Sequence, residues 1–352
     1  MRIRISSLAV AALCFATLGP ARPIEARADE PAWGPLELAH ERVAPGERKK
    51  FTYLGERSFE GGFVDFVVFA AQGRKPGPRL CVTSAIHGDE INSVEIARRA
   101  FASVDAEQLA GTLIVLPAIN TSGFRSGNRY MPDRRDLNRF FPGNRNGSIA
   151  ALVAYAVFEG VIRGCTHLVD LHTGSMARSN SPQIRVDVAD PQALELARHF
   201  SVGIIVEGAG PSGSLRREAM KAGIKAIIYE AGPPNIFLEP EIARGVEGVQ
   251  NVMNYLGMTH TRPSPPEGKI LTHSRWLRVP PGGGGIFLPT AKLGDAVHAG
   301  QTLATVTDPV TDRVTEIAAE ADGVIVGIAL PQVVLSGYGL FHVGELADQP
   351  EE

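Results

Sequence analysis

The stretch "CVTSAIHGDEINSVEIARR", residues 81–99, sets His87 and Glu90 where an apolar run stops and a glycine permits a sharp turn. This HxxE spacing at a strand end entering a helix lets an imidazole nitrogen and a carboxylate oxygen converge on one cation. A catalytic zinc takes three such protein ligands and keeps one position open. Taken alone, an HxxE pair is more often an incidental surface or helix-cap pair, so a third ligand is required. "LVDLHTGS" supplies His172 at the end of another apolar run, with Asp170 placed to support it from behind. Zinc chemistry also calls for a group that moves protons and a cation for the developing oxyanion. Glu230 closes the apolar run "IIYEAG", where a carboxylate is expensive unless paired or functional; a helix N-cap or a buried ion-pair partner is the plainer reading. Arginines crowd "NTSGFRSGNRYMPDRRDLNRFFPGN", whose Pro, Gly and Asn content reads as a loop. Charged loops are usually solvated, and most of Arg125, Arg134, Arg135 and Arg145 are assigned that role.

The elements that must position these groups alternate along the chain. "FVDFVVFAA", "RLCVTSAI", "TLIVLPAIN", "THLVDLHTG", "VGIIVEG" and "KAIIYEAG" read as buried strands, while "INSVEIARRAFAS", "SIAALVAYAVFEGVIR" and "PQALELARHF" carry apolar residues at helical spacing. This is an α/β pattern, a mixed or largely parallel sheet flanked by helices. Sites in such sheets gather at the carboxyl ends of strands, where His87, Asn120, His172 and Glu230 all fall. The Pro-rich "THTRPSPPEGK" at 259–269 marks a boundary, giving an α/β catalytic domain over 29–262 and a β-rich domain over 270–352. In the latter, "LGDAVHAGQTLATV" and "ADGVIVGI" resemble the barrel-sandwich fold of biotinyl and lipoyl carriers. Their carrier lysine has no counterpart in "DPVTDRVTE", so a structural or lid role is expected. "PPGGGG" lacks the GK[ST] of a phosphate loop.

With 352 residues, 44% of them hydrophobic, the chain can bury a large core. A formal charge of -3 gives no basic field for nucleic acid. "MRIR", the apolar run "SSLAVAALCFATLG" and "ARA" fit a secretory signal over 1–28 cleaved after Ala28, so an exported, periplasmic or secreted protein is expected, with no stable membrane insertion once the signal is removed. Cleavage removes a net +3 and leaves -6. Cys14 leaves with the signal; Cys81 and Cys165 remain, read as two buried thiols or, after export, one bridge.

Taken in order, "HGDE", "RYMPDRRDLNRFFPG", "DLHTGS" and "YEAG" resemble the succinylglutamate desuccinylase/aspartoacylase family of the zinc-carboxypeptidase superfamily, over roughly residues 60–345. The resemblance implies a zinc-carboxypeptidase-like mixed sheet and one Zn2+ per chain held by His87, Glu90 and His172. It implies Glu230 as general base and then acid, and Arg129 as polariser of the scissile carbonyl. Asn138 and Arg139 would grip a substrate carboxylate and Arg216 would make a second such contact, a task suited to a planar guanidinium. A tyrosine that relatives supply from their C-terminal part has no clear counterpart in this sequence, Tyr338 being the candidate offered for it. The implied reaction is hydrolysis of the amide bond in a small carboxylated substrate such as an N-acyl amino acid. An exported metallocarboxypeptidase and a non-catalytic zinc-fold binding protein are the rival readings.

Overall fold

The computed structural model describes residues 33–57, 63–261 and 263–346; the expected signal at 1–28 lies outside them. The apolar runs pair into one twelve-stranded mixed sheet. From one edge its order is Arg48–Arg57, Phe63–Gln72, Ala110–Leu116, Lys75–Thr83, His167–His172, Lys225–Gly232, Arg178–Val186, Ile204–Glu207, Lys269–Arg278, Gly339–Leu346, Gly323–Ala329 and Ala296–Val297. The strand His167–His172 runs parallel to both of its neighbours. Strands covered on both faces read as continuous apolar runs, which is how these three appear in the sequence.

Alternation along each strand divides the core between the two faces of the sheet. Cys81, Leu168 and Ala226 pack with the helix Ile149–Gly160 and with Leu215 and Ala219 of the helix Leu215–Lys221. Val82, Val169 and Ile227 belong to the other cluster, with the helices Ile91–Ala102, Pro191–Phe200 and Glu239–Tyr255. Helix starts follow side-chain chemistry: Ser148 accepts a hydrogen bond from Ala151 N, and Asp190 accepts from Gln192 N and Ala193 N.

Among the described residues, every regular element from Lys269 to Leu346 is a strand. The first of them runs parallel to Ile204–Glu207, and Gly323–Ala329 pairs with Arg178–Val186 through Gly327 opposite Asn180. The C-terminal region therefore shares the central sheet. Four further strands, Val314–Ala318, Thr302–Thr307, Gly284–Pro289 and Gln332–Leu335, form a second sheet over a core that includes Phe287, Leu303 and Phe341. Cys81 and Cys165 are joined by a disulfide with Cα atoms 6.0 Å apart, so the reading of two free thiols gives way to the bridge. The bond links the strand Lys75–Thr83 to the start of its neighbour, a proximity that follows from the pairing of Cys81 with Leu168.

Candidate active site

Three adjacent parallel strands deliver the chemistry to one end of the sheet. Lys75–Thr83 leads into the turn bearing His87 and Glu90, and Glu90 immediately precedes the helix Ile91–Ala102. His172 ends its own strand and lies opposite Glu230 of Lys225–Gly232. Gly88 is required for close approach: a Cβ there would sit 2.0 Å from Gly123 C and 2.2 Å from Phe124 N, both backbone atoms.

His87, Glu90 and His172 are buried, and one ligand atom from each lies within 4.8 Å of the others. The Glu90 carboxylate sits between the two imidazoles, Oε1 2.7 Å from His87 Nδ1 and Oε2 2.7 Å from His172 Nδ1. The far nitrogens face carboxylates of their own: His87 Nε2 lies 3.1 Å from Asp136 Oδ1 and His172 Nε2 2.9 Å from Asp170 Oδ2. Thr83 Oγ1 in turn donates to Asp170 Oδ1 at 2.7 Å. Both rings thus turn Nδ1 inward and can donate from Nε2 to an orienting acid. That donor set, two imidazoles and one carboxylate with carboxylates behind the rings, fits a catalytic zinc. Burial lowers the His172 pKa, but Asp170 and Glu90 override it and hold the ring well above its usual range. His87 is raised likewise, Glu90 and Asp136 outweighing burial. For Glu90 burial acts upward, yet the two imidazoles hold it well below the usual carboxylate range. The raised imidazoles mark a place that favours positive charge, and the lowered Glu90 keeps its carboxylate ionised beside them.

These residues open on a cavity of about 380 Å³ that Arg129, Asn138, Arg139 and Glu230 also line. Arg129 is anchored from two sides, Nη2 donating to Asp136 Oδ2 at 2.9 Å and Nη1 to Ser175 Oγ at 2.6 Å. Glu230 accepts from Asn180 Nδ2 at 2.7 Å, and Arg185 Nε lies 3.5 Å from its other oxygen. Asn138 Oδ1 accepts from Leu215 N at 2.8 Å, while Arg139, exposed at the mouth, donates to Asn138 O at 2.6 Å.

Seven of the eight sequence-derived residues therefore share one cavity. Arg216 is buried outside its lining and donates to Gly208 O at 2.7 Å. Burial first, then the nearby Arg185, lowers its pKa to about 10. Tyr338 is not among the lining residues either; its hydroxyl donates to Met176 O. The cavity also includes residues that the sequence reading passed over: Asp136, Ser175, Arg178, Asn180, Arg185 and Trp276. Asp136 stands inside the motif "RRDLNR" and was within reach. Arg178, Asn180 and Arg185 come from a largely polar strand, "RSNSPQIRV", whose apolar residues Ile184 and Val186 come only at its end.

The fold and site define an α/β protein with a buried candidate metal centre of three ligands at the carboxyl ends of parallel strands. The Succinylglutamate desuccinylase/Aspartoacylase catalytic domain matches residues 76–256, and the chain belongs to that family. It is 25% identical over 288 residues to the N-alpha-acetyl-L-2,4-diaminobutyric acid deacetylase of Halomonas elongata, covering 78% of this chain and 84% of that one. The fold resembles a succinylglutamate desuccinylase/aspartoacylase from Rhodobacter sphaeroides with a TM-score of 0.78 at 23% identity, over 86% of this chain and 96% of that one. It also resembles the product-bound ectoine utilization protein EutE (DoeB) of Ruegeria pomeroyi, TM-score 0.77 at 23% identity, over 90% and 99% of the two chains.

Proposed function

We propose that this chain is an exported, zinc-dependent deacylase that hydrolyses the amide bond of N-acyl amino acids or similar small carboxylated amides. The observation that carries the reading is the convergence of His87, Glu90 and His172 in one cavity with Glu230 and Arg129. The name of the Halomonas relative, a deacetylase of an N-acetylated amino acid, supports it.

His87 Nδ1, Glu90 and His172 Nδ1 would hold the zinc, which when bound supplies Lewis-acid polarisation of the carbonyl and a more acidic water. Glu230 takes a proton from the attacking water and returns it to the leaving nitrogen. Asn180 keeps the carboxylate aimed during both transfers by donating to one of its oxygens. Arg129, fixed by Asp136 and Ser175, offers its guanidinium to the carbonyl oxygen as negative charge develops. Arg139, beside Asn138 at the mouth, binds the substrate carboxylate. Arg216 would have to reach that ligand through the cavity wall, so Arg178 and Arg185, which line the cavity, are the better candidates for a second carboxylate contact. Trp276 of the C-terminal β region closes one side, and a cavity of about 380 Å³ suits a small amide better than an extended peptide. Export is supported by the secretory pattern at 1–28 and by the Cys81–Cys165 bond, which persists in oxidising compartments.

The test is a hydrolysis panel of N-acyl amino acids beside peptides, run on the zinc-loaded protein and on Glu230→Gln. The variant should keep its metal and lose about 10²–10⁴-fold in turnover. A folded, metal-loaded and fully active variant removes Glu230 from the role; a wild type that turns over peptides but no N-acyl amino acid favours the carboxypeptidase reading.

A further inference from the structure

The turn that follows His172 is conformationally expensive. Met176 and Ala177 both occupy the left-handed region, φ 55° and 54°, and neither is a glycine. Two such residues in succession persist only where the surroundings over-determine them. Here the surroundings come from the C-terminal β region. The Tyr338 hydroxyl donates to Met176 O. Ala177 O accepts from Leu330 N at 2.9 Å and from Gln332 Nε2 at 3.0 Å. The next residue, Arg178, lies over the rings of Trp276 and Tyr338, 5.0 and 4.9 Å from their centroids.

The other end of the same turn reaches the candidate metal centre. Ser175 Oγ donates to Glu90 Oε1 at 2.5 Å and accepts from Arg129 Nη1 at 2.6 Å. One hydroxyl therefore joins a candidate ligand to the candidate carbonyl polariser, and its place depends on a turn clamped from more than 150 residues away in sequence.

We propose that the C-terminal β region acts on the active site through this turn, with Tyr338 and Gln332 as positioning residues for Ser175, Glu90 and Arg129. The inference rests on the deacylase reading for its turnover arm only. Tyr338 meets the turn outside the cavity lining and Tyr338→Phe keeps the ring against Arg178, so the largest effect falls on the metal centre and on the chemical step, with a smaller one on substrate binding through Arg178. Without the phenol, Met176 and Ala177 relax toward the extended basin and carry Ser175 off Glu90. Arg129 is then left with Asp136 as its main anchor.

The experiment uses Tyr338→Phe, which keeps the ring against Arg178, and Gln332→Met as a second, independent release of the clamp. Zinc affinity is measured by competition with a chromophoric chelator, kcat and KM on an N-acyl amino acid, and Tm on the metal-free protein. Zinc affinity and kcat should each fall about tenfold, as for loss of other groups that orient metal ligands, while KM changes less and Tm stays close to wild type. Adding Ala177→Gly to Tyr338→Phe should restore most of both, because glycine enters the left-handed region without steric cost. Wild-type zinc affinity and kcat in both released variants would overturn the proposal. So would losses that track Tm or that the glycine does not repair. If zinc affinity falls as expected while wild type hydrolyses no amide, the clamp stands and the deacylase reading fails.

Discussion

Reducing the Cys81–Cys165 bond should cost this protein several kcal/mol of stability while leaving its packing unchanged. The two residues are 84 apart in sequence, and both are buried in one core cluster. A cross-link closing a loop of that length constrains the unfolded chain by about 4.5 kcal/mol at 25 °C on the chain-entropy estimate. Unfolding entropy of about 2.1 cal/mol/K per residue, taken over roughly 300 residues, gives about 0.6 kcal/mol/K. The ratio is a fall in Tm of about 7 °C on reduction. Thermal melts of the metal-free protein prepared without residues 1–28, oxidised and then treated with a phosphine reductant, measure it directly, and comparing one chain in two redox states avoids the cavities that Cys→Ala would create. Thiol titration under denaturant supplies the count: none before reduction, two after. Identical melts, or two titratable thiols in protein taken from an oxidising compartment, would refute the reasoning and withdraw the bond's support for export.

Gly88→Ala should lose about 1–3 kcal/mol in denaturant melts, because the new methyl meets backbone at 2.0 and 2.2 Å and the turn must move. Zinc affinity should fall with it as His87 is displaced; a variant with wild-type stability and affinity refutes the close-packing account. Zinc binding should release protons, since Glu90, Asp136 and Asp170 hold His87 and His172 in the protonated form to higher pH than usual when no metal competes. Affinity should therefore rise with pH, whereas the stability that the two raised imidazoles give the metal-free protein is present below the ordinary histidine pKa and is lost as pH rises through their folded values. Calorimetry in buffers of differing ionisation heat checks the first point and melts across pH the second; proton uptake on zinc binding sinks both.

What was legible in the sequence was what local pattern encodes. Apolar runs ending in His172 and Glu230 mark strands whose carboxyl ends must lie side by side once the strands are parallel neighbours. Gly88 next to His87 marked a sharp turn, and the structure adds a close backbone approach at Gly123 that the sequence did not announce. Groups placed by long-range pairing were not legible. Asn180 and Arg185 lie on a strand whose serines, asparagine and proline hide its β character, and it is held by pairing with both Lys225–Gly232 and Gly323–Ala329. Trp276 reaches the cavity only because Lys269–Arg278 joins the central sheet, which the Pro-rich break before it does not announce. Arg216 sits in a stretch of the expected kind, but the helix Leu215–Lys221 turns its side chain into the interior.

The two cavity glutamates differ in ways that separate their proposed tasks. Glu90 is saturated: His87, His172, Ser175 Oγ and Thr173 N all lie at hydrogen-bonding distance from its two oxygens, with Arg129 3.4 Å away. A carboxylate so surrounded by donors and positive charge has no cause to take up a proton, and that suits a permanent ligand. Glu230 has one hydrogen bond from a neutral amide and one ion pair at 3.5 Å, with a small part of its surface open to the cavity. Its carboxylate is held in direction by far fewer partners than that of Glu90, which suits the proposed proton transfer. Two acids in one pocket, one enclosed by donors and the other facing the cavity, can divide ligand and proton-transfer work between them. The proposed division rests on different parts of the fold: the HxxE turn and the strand His167–His172 enclose Glu90, while the polar strand Arg178–Val186, pinned at Asn180 by Gly327 of the C-terminal region, lies beside Glu230.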